Sequence, residues 1–122
     1  MKLIFDLLSS FYYGLGLGES NKGNNLIAMK RFEKALKYAS KADVESGQAI
    51  AHISIAKILC EEDKYDEALI HAHDGIHYYK KFEDASEVFA SEVSKIQSLI
   101  DYIQERTLAQ EDFAITDKES LH

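Results

Sequence analysis

Three of the five histidines fall within seven residues, HAHDGIH at 71–77, with Asp74 among them. Imidazoles and carboxylates are metal ligands, so the first question is whether this spacing can hold an ion. On a helix turning about 100° per residue, His71 and His73 point roughly 160° apart and cannot converge on one ion. His73 and His77 share a face, but two ligands fall short of the three or four that zinc takes. The spacing therefore predicts solvated histidines on the outer side of a helix, no metal site and no cofactor. His52 is expected to pack, or to cap a neighbour, on the preceding helix.

The other chemistry-bearing stretches are read the same way. GLGLGESNKGNN, residues 14–25, has glycines that would let backbone amides approach phosphate. Asn24 and Asn25 stand where a phosphate loop needs lysine and a hydroxyl, and Glu19 stands where the dinucleotide fingerprint needs its third glycine. EEDKYDE, residues 61–67, lacks the mid-loop glycine of a calcium loop and reads as a charged turn with acids at a helix start. Cys60 has no base or cation near it in sequence and reads as a buried thiol. Lys30, Lys34, Lys37 and Lys41 form a narrow basic stripe, a solvated face partly paired with Glu33 and the best place for a local acidic contact. No acid, base, nucleophile and metal assemble, so the expectation is a protein that is not an enzyme.

The elements that must position these residues are helices. Proline is absent and there are only six glycines, which removes most turn punctuation from 122 residues. A first helix is expected over about 2–17, with Leu8, Phe11, Tyr12 and Leu15 inward, ending at Gly14, Gly16 and Gly18 before a long polar loop. A second, about 24–41, buries Ala28, Phe32, Ala35, Leu36 and Ala39. The third, from an Asp43 N-cap to about Glu61, is apolar on most sides and reads as central. The fourth, about 64–80, is striped by Tyr65, Ala68, Leu69, Ala72, Ile76 and Tyr79. Asp84 with Glu87 opens a fifth, about 85–106, carrying Phe89, Val93, Ile96, Ile100 and Ile103; about 110–122 reads as a mobile acidic tail.

Composition narrows the function class. A net charge of −7 argues against general nucleic-acid binding, which needs a basic face. Asp6 interrupts the N-terminal apolar run, so a core helix is expected there and not a secretion signal, and no run is long enough to span a membrane. One cysteine makes no internal disulfide, which fits a cytoplasmic protein.

The stretch AHISIAKILCEEDKYDEALIHAHDGI, residues 51–76, resembles a tetratricopeptide repeat, a helix–turn–helix unit of about 34 residues. The resemblance lies in Ile55, Ala56, Leu59, Tyr65, Ala68, Ala72 and Gly75; His52 stands where the family has tryptophan. Residues 4–42 look like a looser copy, with Ala28, Phe32 and Ala35 lying 40 residues before Ala68, Ala72 and Gly75. The first helix is aligned at a shift of 44, which implies a four-residue loop insertion. The resemblance implies an all-α fold, a right-handed stack of antiparallel helix pairs with five helices: repeats at about 4–42 and 48–81 and a closing helix at about 85–106, within a domain of 1–109. It further implies a protein or peptide partner in a concave groove presenting Ser9, Tyr13, Ile53, Lys57, Glu61, Ser94, Ser98 and Tyr102. A small acidic inhibitor or immunity protein that neutralises a partner enzyme or toxin is the alternative. Ile100 and Ile103, with Tyr102, are expected to be left over for the tail or for a homodimer through the last helix.

Overall fold

A computed structural model describes the backbone of residues 1–80 and 87–120 and the side chains of 1–79, 91 and 94–109. It contains α1 (Lys2–Asn21), α2 (Asn25–Ala42), α3 (Glu45–Glu61), α4 (Tyr65–Lys80) and α5 (Glu87–Ser120). Each helix packs on the next in order, and α1 also touches α3. The result is an all-α stack of helix pairs. The connections are short, so consecutive helices lie antiparallel.

The first three turns share one construction. Each turn contains one left-handed residue: Gly23 (φ 82°), Asp43 (φ 56°) and Asp63 (φ 61°). Behind each, two amides return to the last carbonyls of the helix. Asn24 N–H reaches Glu19 O at 2.9 Å, Val44 reaches Ala39 at 3.0 Å, and Lys64 reaches Leu59 at 2.8 Å. Gly23, Asp43 and Asp63 bond to Ser20, Ser40 and Cys60 respectively. This Schellman pattern satisfies carbonyls that the helix end would otherwise leave open. Asp43 is thus the stop of α2, while Val44, extended and without a side-chain cap, precedes α3. The expected N-cap role does not hold, because the left-handed position is set by where α2 must end.

The first and third turns superimpose in sequence at a shift of 40: Glu19 on Leu59, Gly23 on Asp63, Asn24 on Lys64. No four-residue loop insertion exists. The turn after α1 is Lys22–Asn24, as short as Glu62–Lys64, and the extra residues lengthen α1 at its start. Gly14, Gly16 and Gly18 do not end α1. Each glycine costs about 1 kcal/mol of helix propensity, which packing overrides here. A Cβ at Gly16 would lie 2.6 Å from Phe32 ring carbons, so only glycine admits the close α1–α2 approach.

The inward face of α1 is therefore the small one, Ser9 and Gly16, with Phe5, Tyr12 and Tyr13 half-buried beside it. Phe11 is 59% exposed and Leu15 37%, against the expectation that both face the core. The stripes of α2 and α4 hold as read, and α3 buries Ala49, Ile53, Ile55, Ala56, Ile58 and Leu59 in the central core. Ile96, Ile100 and Ile103 of α5 join that core with Tyr65, Ile76 and Tyr79. Ile100 and Ile103, 2% and 0% exposed, are covered within the single chain and are not left over as expected, whereas Tyr102 beside them is 43% exposed.

The helix expected to end near 106 continues to Ser120, through the stretch read as a mobile tail. No glycine or proline follows Gly75, so no residue there breaks the helix. The Asp84 cap and the side chains of Phe89 and Val93 lie outside the described residues.

Candidate interaction surfaces

The eight residues expected to line one groove separate into four groups. Ser9 and Tyr13 do meet, with Ser10, Gly47 and Ile50, around an 80 Å³ cleft where α1 passes α3. Ser9 lies at its floor, its buried hydroxyl donating to Ala35 O at 2.9 Å, and the Tyr13 ring tilts on Phe32 at 5.7 Å. Ile53 is 9% exposed and fills the space that a side chain at Gly75 would need, so it belongs to the α3–α4 contact and not to a groove. Lys57 and Glu61 are exposed further along α3, and the Glu61 carboxylate accepts a hydrogen bond from Asn25 Nδ2 at 3.0 Å. Ser94, Ser98 and Tyr102 are exposed on α5, which packs on α4; the Arg106 guanidinium lies 5.1 Å from the Tyr102 ring centre.

The histidines divide as well. His73 and His77 are exposed, as expected. His71 instead reaches across to α3, its Nδ1 3.0 Å from His52 Nδ1. One ring must donate and the other accept. His52 also stacks on Tyr78, with centroids 5.9 Å apart and planes at 10°. Burial, then the neighbouring His71, lowers the His52 pKa from its ordinary value, and Asp74 opposes the shift. The pair clips α3 to α4. Among the described residues, no group of three or more His, Cys, Asp or Glu side chains is placed to hold a metal ion. Half-buried Cys60 has its thiol pKa raised by burial and then by Glu61, the opposite of what a nucleophile needs.

The lysine stripe of α2 has a structural use that its sequence did not show. Tyr38 is stacked between Phe5 and Tyr12, at 6.0 and 5.7 Å. Lys34 lies over Tyr12 at 5.1 Å, and Lys41 over Phe5 at 5.3 Å and Tyr38 at 5.8 Å. Each contact is worth about 0.5–1 kcal/mol at an exposed site, and together they close one edge of the α1–α2 pair.

The surface least like that of an ordinary monomer is the outer side of α1. Leu3, Ile4, Leu7 and Phe11 are 70%, 56%, 63% and 59% exposed, and Leu15 and Leu17 are also uncovered. Gly14 and Gly18 lie on the same side, where an added Cβ would meet nothing within 4 Å. This face is diametrically opposite Ser9 and Gly16 on the helix. Among the described residues, no helix is long and apolar enough to cross a membrane. Comparison with protein-family models, with curated proteins and with solved structures finds no match to this chain.

Proposed function

We propose that this chain is a non-catalytic protein-interaction module, a short tetratricopeptide-like stack that engages a protein partner along α1. The observation that carries the reading is α1 itself. A helix face carrying Leu3, Ile4, Leu7 and Phe11 belongs in an interior, yet in this chain α1 is covered only on its opposite side. Contiguous apolar patches beyond a few hundred Å² are uncommon on soluble monomers and mark interaction sites. The α1–α3 cleft at Ser10, Tyr13 and Ile50 adjoins this face and extends it toward the groove that the repeat resemblance implies.

The recurrence of the hairpin at a 40-residue shift supports a repeat architecture. Site-specific photo-crosslinking tests the reading. A photoreactive residue at Leu7 should give protein adducts identifiable by mass spectrometry, while the same probe at exposed Lys57 should give few. Absence of adducts from position 7, or equal yields at both positions, refutes the assignment.

A further inference from the structure

The outer face of α1 is self-complementary in size when read against its own reverse. Pairing residue i with residue 21 − i sets Leu3 opposite Gly18, Ile4 opposite Leu17, Leu7 opposite Gly14, and Ser10 opposite Phe11. Bulky exposed side chains thus meet open glycines at two successive turns. We infer that two copies of this chain pair antiparallel along α1 about a two-fold axis near Ser10 and Phe11, with Leu3 and Leu7 of each seated over Gly18 and Gly14 of the other. This rests on the interaction-module reading and names its partner.

Three observations favour a second copy over other occupants. The first is area. Leu3, Ile4, Leu7 and Phe11, each more than half exposed, offer roughly 100 Å² apiece, and with the bare backbone at Gly14 and Gly18 the face reaches about 500 Å² per partner, the size of a weak, concentration-dependent contact. The second is charge. Like-charged copies repel at a net charge of −7 each, but α1 carries only Lys2, Asp6 and Glu19. Lys2 is already paired with Asp43 of its own chain at 2.9 Å and Glu19 accepts from Asn24 Nδ2 at 2.8 Å, so neither charge is directed into the contact. The third concerns lipid. A helix lying on an acidic membrane surface flanks its apolar side with lysine and arginine, and α1 has one lysine within it.

Light scattering and sedimentation equilibrium on the full chain test the inference. The mass should rise from 13.8 kDa toward twice that value between low and high micromolar concentration. Leu7→Glu should remain at the lower mass with an unchanged helical signal. Gly14→Leu is the sharper variant. Its side chain enters open space in its own chain, so it folds, yet it fills the recess that receives Leu7 of the partner copy and should abolish pairing. Ser10→Cys in a Cys60→Ser background should form a disulfide-linked dimer on oxidation, as expected of a residue beside the axis.

A wild type that stays monomeric at high concentration overturns the inference, as does a dimer that survives Leu7→Glu, or a monomer that floats with phosphatidylcholine–phosphatidylglycerol vesicles. A monomer that still crosslinks from position 7 to a different protein overturns self-association alone and leaves the module reading standing. Loss of both signals removes both.

Discussion

Two glycines of α1, two residues apart, should respond in opposite directions to the same substitution. Gly14 points outward, where a Cβ meets nothing within 4 Å; Gly16 points at Phe32, with ring carbons at 2.6, 2.6 and 3.0 Å from the added atom. Alanine raises helix propensity by about 1 kcal/mol at either position. At Gly14 that gain is unopposed, so Gly14→Ala should stabilise by about 1 kcal/mol. At Gly16 the methyl must displace a ring that is only 2% exposed and already in contact with Tyr13, so it cannot swing into solvent. Overpacking of this kind costs about 1–3 kcal/mol, which cancels or exceeds the propensity gain. Gly16→Ala should therefore lie roughly 1–3 kcal/mol below Gly14→Ala, a gap of at least several degrees in Tm for a chain of this size. Urea unfolding at matched low protein concentration, where self-association does not contribute, measures both. Equal stabilisation by the two alanines would refute the close approach of α1 to α2, and with it the assignment of Gly16 to the inner face.

Further outcomes follow from the turns, the core and the histidine clip. Ile103→Ala should lose about 2–4 kcal/mol, because the side chain is fully buried within the chain; thermal unfolding measures this, and the native mass should not change. Asp43→Gly should stabilise by about 0.5–1 kcal/mol by relieving a left-handed aspartate, since the ion pair with Lys2 that it removes is largely exposed and worth little. Asp63→Gly should gain less, because the carboxylate accepts a bond from the Tyr65 hydroxyl at 2.8 Å. That bond is the first cause of the raised Tyr65 pKa, which spectrophotometric titration should find relaxed toward its ordinary value in the variant. The folded state disfavours the charged form of His52, so the unfolded chain binds the extra proton: stability is full above the ordinary value of 6.5 and falls as pH drops below it. Replacing His52 and His71 together by leucine should flatten that fall in denaturant midpoints measured across pH.

The helices themselves were legible because α2, α4 and α5 each carry one apolar stripe, and a single stripe names its inward side. α1 defeats that logic. Leu8, Phe11 and Leu15 look like a core face, yet the core takes Ser9 and Gly16, since Phe32 occupies the volume between the helices. Periodicity weighs side chains by hydrophobicity and is blind to a packing that selects the smallest residues. A shift of 40 applied to the whole hairpin aligns Gly16 with Ala56 and Phe32 with Ala72 and exposes the exchange of small for large. The His52–His71 contact was invisible for another reason. Its members are 19 residues apart on different helices, and same-helix angles say nothing about what reaches across.

The two ends of the stack differ in finish, and that decides how far assembly can proceed. Along the described side chains of α5, the uncovered positions include Ser94, Lys95, Gln97, Ser98, Asp101, Gln104 and Glu105, a largely polar surface interrupted by Tyr102 and Leu108. α1 presents leucine, isoleucine and phenylalanine at the other end. Repeat arrays need polar terminal faces to stay soluble, and this chain carries one on the described part of α5. Head-to-tail addition of chains would place the apolar end against that polar end and leave a new apolar end exposed, with no gain in completion. Pairing like ends consumes both apolar faces at once and leaves the largely polar described surface of α5 outermost on each side, so growth stops at two. One unfinished end thus specifies a closed pair and works against an open filament.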